Sequence, residues 1–198
     1  METEISTEQK ILDAAEEVFI EEGFSGARMQ QIADKAGINK AMLHYYFRSK
    51  DKLFELVFAY KMKQFLPRVE SVLQNPNLSL LDKLDAFIDA YLDMLRHNPR
   101  LPMFILSTMN RNPELMKSAN IQFGKWVIDL IDEEIKKGTI KRVDPHQFML
   151  TLIGMCIFPF LGRPVFSAVF ELKKEAYEQI LAERKQHVQA YTRFILEP

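Results

Sequence analysis

The sequence contains few of the residues that build cross-links, metal sites or catalytic centres. Cys156 is the single cysteine, so no disulfide can form within the chain. The four histidines lack the spacing of metal ligands: His44, His97, His146 and His187. Cys156 lies in an apolar run with no histidine nearby to activate it, and neither a nucleotide-binding loop nor a nucleophile elbow is present. These absences predict a protein that is not an enzyme and has no cofactor.

Long apolar runs and a secretory signal are also lacking. The longest run, residues 148–161, is interrupted by Thr151 and Pro159 and is shorter than the roughly 18 residues of a membrane span. The acidic, polar N-terminus has neither the basic nor the apolar part of a signal peptide. We therefore expect a cytoplasmic protein with no membrane partner, and a single cysteine suits that reducing compartment.

Charge is balanced overall, at −1, but it is distributed unevenly. Residues 1–23 carry eight acidic side chains and one lysine, whereas residues 24–54 carry six basic side chains and two acidic ones. We call residues 24–54 the basic segment. A local excess of positive charge is typical of a phosphate-binding surface, although a solvated charged face gives the same composition.

Apolar residues recur with helical spacing along nearly the whole chain, and no useful stretch alternates as a strand would. The pattern predicts an all-α fold of about nine helices. Polar residues stand where helix N-caps are expected: Ser6 (with Gln9 as a capping box), Asn39, Ser49, Ser79 and Asp144. The predicted helices span about 6–23, 29–36, 40–47, 50 to the break at 75–77, 79–97, a short helix after Leu101-Pro102, 112–138, 145–161 and 173–196.

The second and third predicted helices carry the pattern of a helix-turn-helix. Such a motif needs a small residue where its helices meet, a residue that tolerates positive φ at the turn, and an apolar anchor on the second helix. Ala33, Gly37 and Leu43 supply these features in order. The third helix would then present its other side chains to a DNA groove, although an ordinary corner between two helices has the same pattern.

The first quarter of the chain contains a series of short motifs: ILDAA at 11–15, Phe19, Gly23-Phe24, QIADKAGINK at 31–40 and YFRSKDKL at 46–53. In these motifs and their spacing the chain resembles the tetracycline-repressor (TetR) family of regulators. The resemblance implies an all-helical dimer that represses transcription until a small molecule binds its divergent C-terminal domain. The chain departs from the family pattern at Ala27 and Arg28, where threonines are usual. It also departs at Ala41, where glycine is frequent, and at His44, where tyrosine is frequent.

The resemblance and the helix phase together give a predicted DNA-binding set. Lys50 matches the family's phosphate-contacting lysine, and Arg28 is expected to replace a threonine contact by its charge. His44 fits either a phosphate contact or helix packing, and Tyr46 and Phe47 are assigned to the scaffold. The predicted DNA-binding residues are Arg28, Gln30, Lys40, Ala41, Met42, His44, Tyr45 and Lys50.

The rest of the chain is rich in methionine and aromatic residues, which fit either an ordinary core or an adaptable apolar pocket. Candidate pocket residues are Phe65, Phe87, Tyr91, Met94, Phe104, Met109, Phe123, Trp126, Met149 and Ile153. The eighth predicted helix is apolar on every side, so a second subunit is expected to cover part of it. The candidate dimer-interface residues are Phe158, Ile180, Leu181, Val188 and Tyr191.

These patterns predict two domains, a helix-turn-helix domain at 5–65 and a helical ligand-binding and dimerisation domain at 66–198. The predicted function is a homodimeric transcriptional repressor that binds a near-palindromic operator in double-stranded DNA and is released by a small apolar or amphipathic effector. Two alternatives remain at this stage: a helical carrier of small molecules that does not bind DNA, and a DNA-binding protein of the nucleoid or division machinery.

Overall fold

A computed structural model describes residues 6–111 and 123–198. Over these residues the chain forms ten helices and no strand, so the predicted all-α class is confirmed. The helices are α1 (Thr7–Gly26), α2 (Met29–Lys35), α3 (Lys40–Tyr46), α4 (Lys50–Leu73), α5 (Leu80–His97), α6 (Leu101–Arg111), α7 (Phe123–Lys137), α8 (Pro145–Leu161), α9 (Arg163–Val169) and α10 (Lys174–Leu196).

Helix starts follow the polar caps in the sequence. The side chains of Ser6, Asn39, Ser79 and Asp144 each accept a hydrogen bond from the backbone N–H three residues ahead. The capping box predicted at Ser6 is only half present, because the amide of Gln9 donates to Asp13 and Tyr60 instead. The polar caps therefore mark where these helices begin. The Gln9 side chain bonds to Asp13 and Tyr60 rather than completing the capping box.

Two helix boundaries differ from the sequence prediction. Leu101-Pro102, expected in a turn, forms the start of α6, since proline is accepted in the first turn of a helix. Gly162 ends α8 as expected, but the chain then begins the unpredicted helix α9, with Pro164 in its first turn. The predicted start of a helix at Asn112-Pro113 lies outside the described residues. Within the described part, no single helix is both long and apolar enough to cross a membrane; α8 and α9, bent by 70°, pass that test only as a pair.

The chain divides into two compact units. The first comprises Met1–Phe65 with Met103–Asn120, and the second Leu66–Pro102 with Ile121–Pro198, each taken over its described residues. The aromatic ring of Phe104 lies 5.2 Å from that of Phe54 and 6.4 Å from that of Phe58, which places α6 in the core of the first unit. The first unit thus includes a segment that the predicted domain at 5–65 does not contain.

In the second unit, α5 and α8 both pack against α10. Both α8 and α10 bury apolar side chains, while a polar row joins α5 to α10. In that row Arg193 donates to Asp85 and Asp82, and Gln189 donates to Asp89. Apolar contacts hold these helices together, and the polar row fixes which residues face each other.

A proline inside α8 leaves a backbone acceptor that α10 satisfies. Pro159 has no N–H, so the carbonyl of Met155, four residues earlier, has no donor in its own helix. The guanidinium of Arg184 donates to this carbonyl through Nε at 3.0 Å and Nη2 at 2.9 Å. One turn further along, the hydroxyl of Tyr177 donates to the carbonyl of Pro159 at 2.7 Å. Side chains of α10 therefore replace hydrogen bonds that α8 cannot make.

We expect Arg184→Met to lower the free energy of unfolding by roughly 1–3 kcal/mol, because it leaves a part-buried carbonyl without its donors. The loss should be smaller in a Pro159→Ala background, where residue 159 regains an N–H that can donate to Met155. Urea denaturation of the four proteins in this cycle measures the effect, with the exposed Arg142→Met as the matched control. Equal losses in both backgrounds would show that Arg184 does not substitute for the missing helix bond.

Candidate nucleic-acid interface

The turn between α2 and α3 is closed by a glycine-dependent motif. Gly37 has φ 69°, in the left-handed region that favours glycine. The N–H of Ile38 donates to the carbonyl of Ala33 at 3.0 Å, and the N–H of Gly37 donates to that of Asp34 at 3.2 Å. This pair of bonds is the Schellman arrangement, which ends α2 and fixes the direction in which α3 leaves.

Small and apolar side chains anchor both helices to the first unit. Ile32 and Ala33 of α2 are fully buried, as is Leu43 of α3, and Phe47 is buried directly after α3. The burial of Ala33 and Leu43 agrees with the small residue and the apolar anchor predicted for the motif. Because Leu43 is the one buried residue of α3, the remaining side chains of this short helix face outward.

The exposed face of α3 contains the residues predicted to meet DNA. Lys40, Ala41, Met42, His44 and Tyr45 are all exposed, with Tyr45 at 83%. The exposure of His44 disfavours the helix-packing alternative. Seven residues extend about 10 Å, a length that fits within a major groove.

Tyr46 does not have the scaffold role predicted for it. Its side chain is 43% exposed, and its ring lies 5.6 Å from that of Tyr45 in an edge-to-face arrangement. This geometry limits the rotamers that Tyr45 can adopt. Helix phase alone places Tyr46 between the buried and the exposed face of α3. The sequence pattern therefore does not distinguish a buried Tyr46 side chain from an exposed one.

Ion pairs within the protein determine which cations of the basic segment remain available to contact DNA phosphates. Lys35 pairs with Glu17 of α1 at 2.5 Å, and this hydrogen bond raises the pKa of Lys35 above its usual range. Lys52 pairs with Glu55 at 3.5 Å. The basic segment has three other exposed cations, and in the part of the chain that the structure describes their side chains form no ion pair: Arg28, Lys40 and Arg48.

The available cations flank the recognition motif. Arg28 precedes α2, Lys40 is the first residue of α3, and Arg48 follows α3 by two residues. Arg48 was not among the residues predicted from the sequence to contact DNA, although its place in the basic segment could have indicated it. The amide of Gln30, another predicted contact, is exposed and donates to Asp34 at 2.7 Å.

Lys50 differs from the other basic residues because its ammonium group is used inside the protein. Its Nζ donates to the carbonyl of Phe24 at 2.7 Å and to that of Ala27 at 2.9 Å. The same atom lies 4.4 Å from the centre of the Phe24 ring. Lys50 is half-buried, so the phosphate contact inferred from the family resemblance stays a prediction.

The predicted pocket residues fall in both units. Phe104 is in the core of the first unit, whereas Phe87 and Tyr91 stack on each other in the second, 5.3 Å apart. Burial raises the pKa of Tyr91 and that of Cys156, the latter to about 12, so neither group ionises at neutral pH. Met94, Met109, Trp126 and Ile153 are half-buried, and the side chains of Phe65 and Phe123 lie outside the described part of the structure.

One open cavity in the second unit does contain a predicted residue. It has a volume of about 470 Å³ and is lined by Met149 of α8 and by Val127 and Ile128 of α7. Lys125 and His146, both exposed, supply its polar groups. The cavity is large enough for a small ligand, and its lining suits an apolar body with a charged or polar end.

The structure corrects the predicted dimer interface at two positions. Leu181 and Val188 are buried within their own chain and cannot meet a partner, whereas Phe158, Ile180 and Tyr191 are exposed. The physical reason is helix phase: Ile180 and Leu181 differ by about 100° around the axis of α10 and therefore lie on different faces.

Together, the fixed turn, the buried anchor and the exposed second helix define a helix-turn-helix DNA-binding protein. Residues 11–57 match the model of the bacterial regulatory proteins of the tetR family. A Bacillus subtilis relative, "Probable HTH-type transcriptional regulator YttP", is 27% identical over 85% of this chain and 84% of its own length. The "HTH-type transcriptional repressor NicS" of Pseudomonas putida is 34% identical over 59% of this chain and 55% of its own. These matches support a transcriptional regulator of the TetR type.

Solved structures have the same fold along nearly the whole chain. The Streptomyces coelicolor protein SCO4942 superposes with a TM-score of 0.76 at 19% identity, over 98% of this chain and 100% of its own. A Saccharomonospora viridis protein in complex with choline gives 0.74 at 17% identity, over 96% and 97%. Bacillus subtilis FadR in complex with stearoyl-CoA gives 0.70 at 19% identity, over 92% and 96%. At sequence identities this low, the structural similarity establishes only that the folds are alike.

Proposed function

We propose that the protein is a dimeric repressor that binds a near-palindromic operator with α3 of each protomer in the major groove. The observation that carries this proposal is the exposed face of α3, anchored by Leu43 alone and flanked by cations without an ion pair in the described chain. Such a protein acts at the chromosome, which supports the expected cytoplasmic location.

The exposed residues divide by chemistry into two proposed roles. Arg28, Lys40 and Arg48 contact phosphates, because each is an exposed cation beside the motif. Tyr45 and His44 have hydrogen-bonding groups that can reach base edges, and Ala41 and Met42 offer apolar contact to thymine methyl groups. Gln30 contacts the DNA backbone in this arrangement.

Footprinting on the DNA upstream of the protein's own gene tests the proposed function. One sharply protected site with two-fold symmetry is expected. Broad protection without a preferred site would instead indicate the nucleoid or division role, and no protection at saturating protein would favour the carrier that does not bind DNA.

The proposed dimer is supported by exposed apolar stripes on α8 and α10. On α8, the side chains of Leu150 and Phe158 are 70% and 54% exposed. On α10, Ile180, Tyr191 and Phe194 share one face, with Phe194 78% exposed. Two helices from each protomer would bury these stripes as a four-helix arrangement around a two-fold axis.

We expect Tyr191→Glu to convert the dimer to a folded monomer at micromolar concentration, because an unpaired charge in an apolar interface is costly. Light scattering with circular dichroism measures both properties. Met103→Glu, at an exposed apolar residue of the first unit, is the matched control and should stay dimeric. Val188→Glu should unfold the chain instead, since Val188 is fully buried within the protomer. A Tyr191→Glu protein that is still a dimer would place the interface elsewhere.

The proposed effector is a small amphipathic molecule that binds in the second unit. The cavity beside Met149, with apolar walls and the cation of Lys125 at its edge, supports this class of ligand. The fold relatives that hold choline and stearoyl-CoA support it further, since both ligands join an apolar part to a charged group. Thermal-shift measurements with a panel of acyl-CoA esters, free fatty acids and choline test the proposal, with Ile128→Trp as the variant that fills the cavity.

A further inference from the structure

The end of α1 contains two backbone carbonyls that the helix itself does not satisfy. Gly23, with φ 66° and ψ 173°, interrupts α1, and only one more turn follows it. The N–H of Arg28, which would donate to the carbonyl of Phe24 in a continuing helix, donates to the side chain of Gln31 at 2.9 Å. Ala27, the C-cap of α1, has a non-helical backbone with φ −58° and ψ 134°, so its carbonyl also leaves the helical pattern.

Lys50 supplies both of these carbonyls with a donor. Its ammonium group bonds to the carbonyls of Phe24 and Ala27, which lie 26 and 23 residues earlier in the sequence. The Phe24 ring covers the same ammonium and packs edge-to-face on Phe54, one turn further along α4. The last turn of α1 and its C-cap residue Ala27 are therefore held to the start of α4 at three points.

We propose that Lys50 is a positioning residue for DNA recognition, one that fixes the connection between α1 and α2 and so sets where α2 begins. This inference rests on the proposed DNA-binding function and gives Lys50 a role different from the phosphate contact that the resemblance implies. Charged hydrogen bonds of this kind are stronger than neutral ones, so two of them can define one position of the chain. Correct placement of α2 in turn places the Arg28 side chain and, through the Gly37 turn, α3.

The first test does not depend on DNA. In Lys50→Met, amide hydrogen exchange over residues 24–31 should accelerate about tenfold or more, because two charged hydrogen bonds that hold this segment are lost. Lys40→Met removes an exposed charge of α3 and should leave exchange in residues 24–31 unchanged. Unchanged exchange in Lys50→Met would overturn the inference, whether or not the protein binds DNA.

The second test separates positioning from phosphate contact. The probes are a duplex selected by the wild-type protein from a random library and a shuffled duplex of the same composition. Lys50→Met should lose affinity for the selected duplex about tenfold more than for the shuffled one, with the salt dependence unchanged. Lys40→Met should weaken both duplexes alike and reduce the slope of log K against log salt by about 1.8 per dimer. A Lys50→Met protein that behaves as Lys40→Met does would make Lys50 a phosphate contact and overturn the inference.

A second variant, Phe24→Leu, tests the same role of Lys50 if Lys50→Met does not fold. Phe24→Leu retains the Lys50 charge but removes the ring that covers it. If Lys50 acts by positioning, Phe24→Leu should discriminate less between the selected and the shuffled duplex, while the salt dependence of binding stays the same. Affinities are measured on the active fraction of the protein. Full discrimination in Phe24→Leu would contradict it.

Discussion

Replacing Lys40 and Arg48 together by methionine is expected to reduce the affinity of the dimer for duplex DNA by about three orders of magnitude in 0.1 M salt. The dimer would lose four phosphate contacts, and each contact contributes through the counterions that it releases. The slope of log K against log salt should fall by about 3.6, since each contact adds roughly 0.9. Fluorescence anisotropy at several salt concentrations measures both quantities.

The control for this variant has the same change in net charge. Lys35 and Lys52 already pair with Glu17 and Glu55, so replacing both by methionine should alter the slope little. An equal loss of slope in the two double variants would show that overall charge, rather than the face around α3, governs binding.

The effector is expected to lower operator affinity about 5- to 150-fold, corresponding to a coupling of about 1–3 kcal/mol. A ligand can shift the protein between two states only by binding one of them better, so operator DNA must lower ligand affinity by the same factor. Calorimetric titration of a hit from the thermal-shift panel, with and without the operator, measures this reciprocity. A ligand that saturates the cavity while its affinity is unchanged by operator would contradict the coupling.

The fourth helix is the element that we propose to carry this coupling. It contributes to both units, because the first unit extends to Phe65 and the second resumes at Leu66. Pro67, at this boundary, removes one hydrogen bond from the helix and makes bending there easier. Pro67→Ala restores the donor, and we expect it to reduce the coupling factor while leaving DNA affinity without ligand within about threefold.

Local signals in the sequence were enough to predict much of the first unit. Asn39 caps α3, Gly37 permits the turn, and Leu43 is the buried anchor, all features set by residues close together in the chain. Their effects depend on backbone geometry that only a few residue types support, so the pattern can be read without the tertiary structure.

Interactions between distant residues could not be predicted in the same way. The two carbonyls bound by Lys50 become available only because α1 breaks at Gly23 and Arg28 bonds to Gln31. Likewise, the role of Arg184 follows from the N–H that Pro159 lacks on another helix. The sequence prediction for the exposed face of α10 is wrong at Leu181 and Val188, because apolar residues fall on adjacent faces of that helix and only packing decides which face is inside.

Operator recognition by α3 can be measured by selecting binding sites from a random duplex library and titrating the enriched site with salt. We expect a near-palindromic sequence with half-site centres about one helical turn, 34–36 Å, apart. We also expect affinity that falls steeply with salt and depends on Lys40 and Arg48. A library that yields no enriched sequence, with binding to duplex DNA that does not change with salt, would contradict operator recognition by α3.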